Sequence, residues 1–259
     1  MISKKERYKV NLVWTAGLFL FWEIVAFLLD KVAHDPMADV KLPYPHNIII
    51  SIVHNFSELI SAAGLTFSRA VLGFVIGAAI GFILAIIMSL SKIAEKIALP
   101  YLIISQMIPV LGLAPIIFTL VRDMNTSRIV IAAYITFFPV SVNMLSGLNS
   151  VDSEKKELLY SYAAKKKSIY YKLMIPFSMQ YLFAGLKIAA PMSITASILV
   201  DMLGSSGGIG VKLLYSLYSG IKDVFWASVV TSALMGIISY FIVILIEKIC
   251  MPWKKQVSS

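Results

Sequence analysis

Apolar runs about as long as a bilayer is thick recur along this chain, and they constrain its fold more than any motif. A helix needs about 20 predominantly apolar residues to cross the hydrocarbon core. Runs of that kind occupy residues 10–29, 67–90, 98–120, 129–148, 178–203 and 224–246. Only 14% of the 259 residues are charged and the mean hydropathy is +0.83. A soluble domain carries about 25% charged residues. The runs leave no room for a separate soluble domain, so the expectation is one all-α membrane domain over residues 1–259, with six transmembrane helices. The first run exceeds the apolar region of a secretory signal and continues into Asp30 and Lys31, which favours an uncleaved span.

The net charge of +9 is a topology signal in such a chain, not a nucleic-acid footprint. With six spans, one face collects fifteen Lys and Arg residues and the other six, leaving aside Arg69 and Lys187 in span ends or interiors. The richer face carries both termini and the polar interval Val151–Pro176, which are therefore expected in the cytoplasm. That interval holds six lysines together with Tyr160, Tyr162, Tyr170 and Tyr171. A loop so rich in aromatic and helix-forming residues is expected to fold and dock.

Residues for catalysis are sparse. His34, His46 and His54 fall in the first external connector at spacings that match no zinc signature, and Cys250 is the single cysteine. No metal site and no catalytic set is expected. GSSGGIG (Gly204–Gly210) lacks the Gly-Lys-Ser/Thr ending of a phosphate loop and reads as an external turn or gate segment, with Asp201, Gly204, Gly207, Gly208 and Gly210 as its candidates. Asp201 is expected within reach of water, one turn from a span end. Lys187 is expected to snorkel or face a cavity, and Glu23, deeper, to have a partner or to be protonated. These scattered charges would suit a proton-coupled secondary transporter, but no inverted repeat accompanies them. A membrane-embedded enzyme would need a converging polar cluster.

Prolines mark the irregular places. Pro43 and Pro45 in KLPYPHN point to an extended turn, and Pro109 and Pro115 to a kinked or broken third span. Gly73, Gly77 and Gly81 put a small residue every four positions on one face of the second span, where another helix can approach.

The stretch from Glu157 through Ala163 to Pro176 resembles the "EAA" loop of permease subunits of binding-protein-dependent ABC importers, in which a Glu is followed six residues later by a Gly and thirteen further on by a Pro. Glu157 and Pro176 match; Ala163 stands at the glycine and Leu159 at a second small residue. The nitrate/sulfonate/taurine branch, which includes thiamine-precursor and riboflavin-type relatives, is further resembled by LPYP (Leu42–Pro45), by Thr66, Arg69 and Gly73, and by SQMIPVLGLAP (Ser105–Pro115). YLFAGLKIAAP (Tyr181–Pro191), DMLGSSGGIG and EKICMPW (Glu247–Trp253) also fit. Departures are Gln180 for a second proline, Leu120–Asp123 for a Trp-Phe-Gly-like turn, and Asp201 where Glu is common.

The resemblance implies a type I ABC importer permease fold in a bacterial inner membrane. It implies a second permease copy, two cytoplasmic ATPase subunits that hold the ATP and magnesium, and an external binding (lipo)protein. The permease itself would be catalytically inert and without cofactor. The coupling loop would use Glu157, Tyr160, Tyr162, Ala163, Ala164, Lys165 and Pro176, with two short helices meeting near Ala163. Ser105, Gln106, Asn143, Ser193 and Thr195 are candidates to line the pathway, and the substrate would be a small sulfonate, taurine or nitrate-like anion or a small heteroaromatic.

Overall fold

A computed structural model describes residues 4–34, 41–204 and 207–252. Among them the structure is helical, without strands. The helices are α1 (Lys4–Phe27), α2 (Pro45–His54), α3 (Phe56–Leu90), α4 (Lys92–Met107), α5 (Val110–Val121) and α6 (Met124–Asn149). They continue with α7 (Ser153–Ser161), α8 (Lys166–Ile169), α9 (Ile175–Leu203), α10 (Ile209–Tyr218) and α11 (Lys222–Cys250). Five segments are long and apolar enough to cross a membrane: Val13–Val32, Phe56–Leu90, Met124–Asn149, Lys166–Leu203 and Lys222–Cys250. The pair α4 and α5 adds a sixth if it is one span, bent by 98°.

That bend answers the expectation for the third apolar run. Ile108 and Pro109 are both extended, with ψ of 121° and 128°. The residue before a proline is pushed out of the α region, and Pro109 then opens the next helix. The second run is longer than its hydropathy suggested, because α3 begins at Phe56 rather than near Phe67. Its polar first turn includes Glu58, a favourable charge at the positive end of a helix.

The chain forms two compact units, residues 1–62 with 212–231 and residues 63–211 with 232–259. In the first, LPYP is more than a turn. Pro45 is the first residue of α2, where a missing amide hydrogen is harmless. The Trp22 indole donates to the Pro43 carbonyl (3.0 Å), and the Tyr44 hydroxyl donates to Asp30 (3.0 Å). His46 and His54 are helical, not loop residues, and His46 Nδ1 lies 2.6 Å from Glu23 Oε1, the partner Glu23 was expected to have. His34 alone of the three keeps a loop position, at φ 50°. Trp22 meets Trp226 edge-on at 6.4 Å, and Lys212 pairs with Glu58.

The second unit is built around α6, which packs on α3 and α9. A side chain at Gly73 would strike Ala132 and the Ile129 carbonyl; at Gly77, Ala133 and Thr136; at Gly81, Val140 and the Phe137 carbonyl. The glycine face of α3 thus lies backbone-close to α6, and Ser141 Oγ donates to the Gly81 carbonyl across that seam (3.1 Å). Gly185 of α9 closes on the other side of α6 against Pro139, Val140 and Asn143. Burying these contacts leaves apolar side chains such as Ile76, Ile80 and Ile83 exposed, as lipid or a neighbouring chain would require.

Candidate functional site

Two sites emerge in the second unit. The first is the loop between α6 and α9. Asp152 caps α7, accepting the Glu154 amide at 3.1 Å. The helix ends where Ala163 turns left-handed (φ 55°). Its amide donates to the Tyr160 carbonyl at 2.9 Å, and the Ala164 amide reaches the Leu159 carbonyl at 3.1 Å. This closure takes up the last carbonyls of the helix and normally carries glycine at the left-handed position. The expected turn near Ala163 is therefore seen, and alanine keeps the glycine-type conformation. Only the first of the two expected short helices is short, however: Lys166–Ile169 runs on through Tyr170–Met174 into the span Lys166–Leu203. Lys165, extended at ψ 148°, opens α8.

Pro176 acts one turn further on. A proline ring collides with the carbonyl four residues before it, here that of Lys172, and has no amide hydrogen to offer. The chain answers with a wide turn over Tyr170–Met174, in which the Ile175 amide reaches back five residues to Tyr170. The loop is held to the helices by buried Val151 and Ile169, by Lys155 over the Phe177 ring (5.6 Å), and by a hydrogen bond between Ser89 and the Tyr170 hydroxyl. Glu157 is exposed, as are Leu158 and Tyr162, the latter at 77%. Tyr160 is 48% exposed and points along a different face of α7, with Lys156. The result is a short, capped, tethered helix presenting acidic, aliphatic and aromatic groups outward.

The second site surrounds Asp201, which was expected near water and is instead fully buried. Its carboxylate lies 2.8 Å from Arg128 Nε, 3.7 Å from Arg69 Nη1, and accepts the Thr66 hydroxyl. The glycine segment is tied into the same cluster. Arg69 Nη1 donates to the Gly207 carbonyl (3.2 Å), and the Ile209 amide donates to Thr66 Oγ (2.9 Å). Gly208, at φ 124°, lies so close that any side chain would collide with the Asp201 carboxylate, and one at Gly210 would strike the Ile198 carbonyl. Gly204 abuts the Arg128 guanidinium. The candidate gate residues are thus brought together, but as a buried electrostatic clasp joining α3, α6 and α9, not as a solvated turn. Ser205 and Ser206 lie outside the described residues.

Arg128 is the member that the sequence reading passed over. Its only signal is a cation directly before an apolar run, with an acid near the end of another. Lys187, expected to snorkel or face a cavity, pairs instead with Glu247 of the EKICMPW segment at 2.9 Å, joining α9 to α11.

The candidate lining residues separate. Ser193 is 2% exposed and donates to the Ala190 carbonyl (2.9 Å), so its hydroxyl is engaged inside its own helix. Thr195 is exposed and donates to Pro191 (3.0 Å); Asn143 is half-buried and donates to Pro139 (2.7 Å). Both satisfy carbonyls of prolines inside helices. Ser105 and Gln106 sit in the last turn of α4, before the bend, where the Tyr134 hydroxyl binds the Ser105 carbonyl. Among the described residues no group of three or more His, Cys, Asp and Glu could hold a metal ion.

Long apolar helices, a proline-broken span and a tethered polar loop define a multi-pass membrane permease of the type I importer fold. The chain belongs to the family described as "Binding-protein-dependent transport system inner membrane component", which its residues 77–250 match. It is 28% identical to the formylaminopyrimidine transport permease protein ThiX of Halalkalibacterium halodurans, over 92% of this chain and 93% of that one. It is 24% identical to the putative aliphatic sulfonates transport permease protein SsuC of Bacillus subtilis, over 94% and 89%. To the nitrate import permease protein NrtB of Synechococcus elongatus the identity is 27%, over 80% and 77%. Among solved structures, an amino acid ABC transporter chain shares the fold with a TM-score of 0.63 at 18% identity, over 77% of this chain and 97% of that one. The MetNI methionine ABC transporter in an inward-facing conformation gives 0.56 at 18% identity, over 78% and 96%.

Proposed function

We propose that two copies of this chain form the translocation pathway of an ATP-driven importer, with the α7–α8 loop seated on a cytoplasmic ATPase subunit and an external binding protein delivering the substrate. The observation that carries this reading is the capped helix α7, held to the span ends while presenting Glu157, Leu158 and Tyr162 outward. A tethered helix transmits rotation where a slack loop would absorb it. Both termini share the cytoplasmic face with this loop, by the charge bias. ATP and magnesium belong to the partner, and Glu157, Tyr162, Ala163, Ala164 and Lys165 form the docking segment, with Pro176 setting its exit.

The test is ATP-driven uptake in vesicles containing the permease, its ATPase and its binding protein. Glu157→Arg with Tyr162→Ala should abolish uptake while the ATPase subunits still hydrolyse ATP. Undiminished uptake, or a purified permease that never associates with an ATPase, would overturn the reading.

Between the two substrate classes, the candidate pathway groups favour a small heteroaromatic of the formylaminopyrimidine kind over a sulfonate or nitrate. Ser105, Gln106, Asn143 and Thr195 are neutral, donating to the carbonyls of Leu102, Tyr134, Pro139 and Pro191 and keeping their side-chain oxygens as acceptors, which an anion would not use. Lys187, Arg69 and Arg128, by contrast, are committed to carboxylates. The relative that is 28% identical over nearly its whole length carries that substrate in its name. Uptake of labelled formylaminopyrimidine but not taurine or nitrate is the expected result, and the reverse preference refutes it.

A further inference from the structure

A groove of about 500 Å³ opens beside α7 on the side away from Leu158 and Tyr162. Its floor is made by Ile86 and Leu90 from the last turn of α3, and by Ile169 and Met174 from the start of the Lys166–Leu203 span. Its rim carries Lys156, Lys166 and Lys167, and the Ser89–Tyr170 hydroxyl pair lies within it. Among the described residues none of these three lysines is held in an ion pair. Lys156 and Tyr160, one turn apart on α7, both line the groove; Leu158 lies two residues on, about 200° around the helix axis.

We infer that this groove binds an anionic phospholipid, with its phosphate among Lys156, Lys166 and Lys167 and the upper part of an acyl chain against Ile86, Leu90 and Met174. Three observations choose this occupant. The floor is apolar and the rim is cationic, which matches a molecule charged at one end and hydrocarbon at the other. The groove lies where the candidate spans Phe56–Leu90 and Lys166–Leu203 end, and it carries Tyr160, Tyr170 and Tyr171, the residue type that collects at membrane–water interfaces. Basic pockets between span ends are where anionic headgroups are held. The volume falls within the roughly 300–1,000 Å³ of small-molecule sites, enough for a headgroup and the first methylenes.

The inference requires the membrane reading but not the ATPase reading, because the groove and the outward face of α7 are different surfaces. A lipid wedged between α7 and α3 would stiffen the loop's seat, so anionic lipid content would act on the docking segment without contacting the partner.

The experiment uses the full chain in mixed phosphatidylglycerol and phosphatidylcholine nanodiscs, extracted stepwise with detergent and weighed by native mass spectrometry. The unaltered protein should retain one phosphatidylglycerol per chain after phosphatidylcholine is stripped. Lys156→Gln/Lys166→Gln/Lys167→Gln should lower that retention at least fivefold. A control with the same charge loss elsewhere, Lys92→Gln/Lys96→Gln/Lys248→Gln, should leave it unchanged. Ile86→Trp, which fills the apolar end at constant charge, should lower retention too and covers the case in which the triple variant fails to fold. Equal loss in both triple variants, retention untouched by Ile86→Trp, or displacement of the lipid by millimolar inorganic phosphate would overturn the proposal. So would protection of a Tyr160→Cys thiol that appears with the ATPase but not with phosphatidylglycerol.

Discussion

Replacing Ala163 by glycine should make the α7–α8 loop more rigid, contrary to the usual effect of adding glycine to a chain. Ala163 sits at φ 55°, and its amide and that of Ala164 close the end of α7 onto the Tyr160 and Leu159 carbonyls. An L-residue in the left-handed region pays about 1–2 kcal/mol through contact of its Cβ with the following carbonyl oxygen. Glycine removes that contact, while its greater freedom in the open loop costs about 0.4–1 kcal/mol. The difference is about 1 kcal/mol in favour of the closed turn, or about fivefold in the local opening equilibrium at RT of about 0.59 kcal/mol. Hydrogen exchange of peptides spanning residues 153–169, with the protein in nanodiscs, reads this directly. Ala163→Gly should slow exchange of the two turn amides about fivefold. Ala163→Val, whose branched side chain is excluded from left-handed backbone, should speed it by more than that factor. Faster exchange in the glycine variant, or no difference between glycine and valine, would show that the turn is not limited by backbone strain.

The buried clasp should respond asymmetrically. Asp201→Asn leaves Arg128 without its counter-charge and should cost about 3–5 kcal/mol, whereas Asp201→Leu combined with Arg128→Leu should recover part of it; thermal unfolding of the solubilised protein ranks the two. Gly77→Leu should separate α3 from α6 and abolish the monodisperse peak in size exclusion, because its Cβ has no space beside Ala133 and Thr136. Asp123 caps α6 by accepting the Thr126 hydroxyl together with the Thr126 amide (2.7 Å), and these bonds, the hydroxyl's foremost, hold its carboxyl below the ordinary carboxylate range. The stabilisation from its charge is therefore present at neutral pH and lost as pH falls through that lowered value. Exchange of the first-turn amides of α6 should rise there, and Asp123→Ala should remove the pH dependence.

Much of the membrane architecture is written in local composition, because a span needs only length and hydropathy. The broken third span follows from Pro109 through steric rules that act over two residues. The loop's exit is equally local, since Pro176 disturbs its own preceding turn. The turn at Ala163 is implied only by the resemblance, which sets Ala163 at a glycine position, and nothing in an alanine announces that it will adopt a glycine's left-handed conformation.

Local composition is thus enough for long apolar helices, a third one broken at Pro109 or Pro115, and a polar loop that folds; the structure puts the break at Pro109 and leaves Pro115 inside α5. Hydropathy, proline sterics and capping all act within a few residues. The pairings across the chain come from the packed fold: Asp201 with Arg128 and Arg69, Lys187 with Glu247, and the glycine face of α3 with α6. Those depend on which helix faces which. A buried charge states only that it needs a partner, and packing alone brings one from 60 or more residues away.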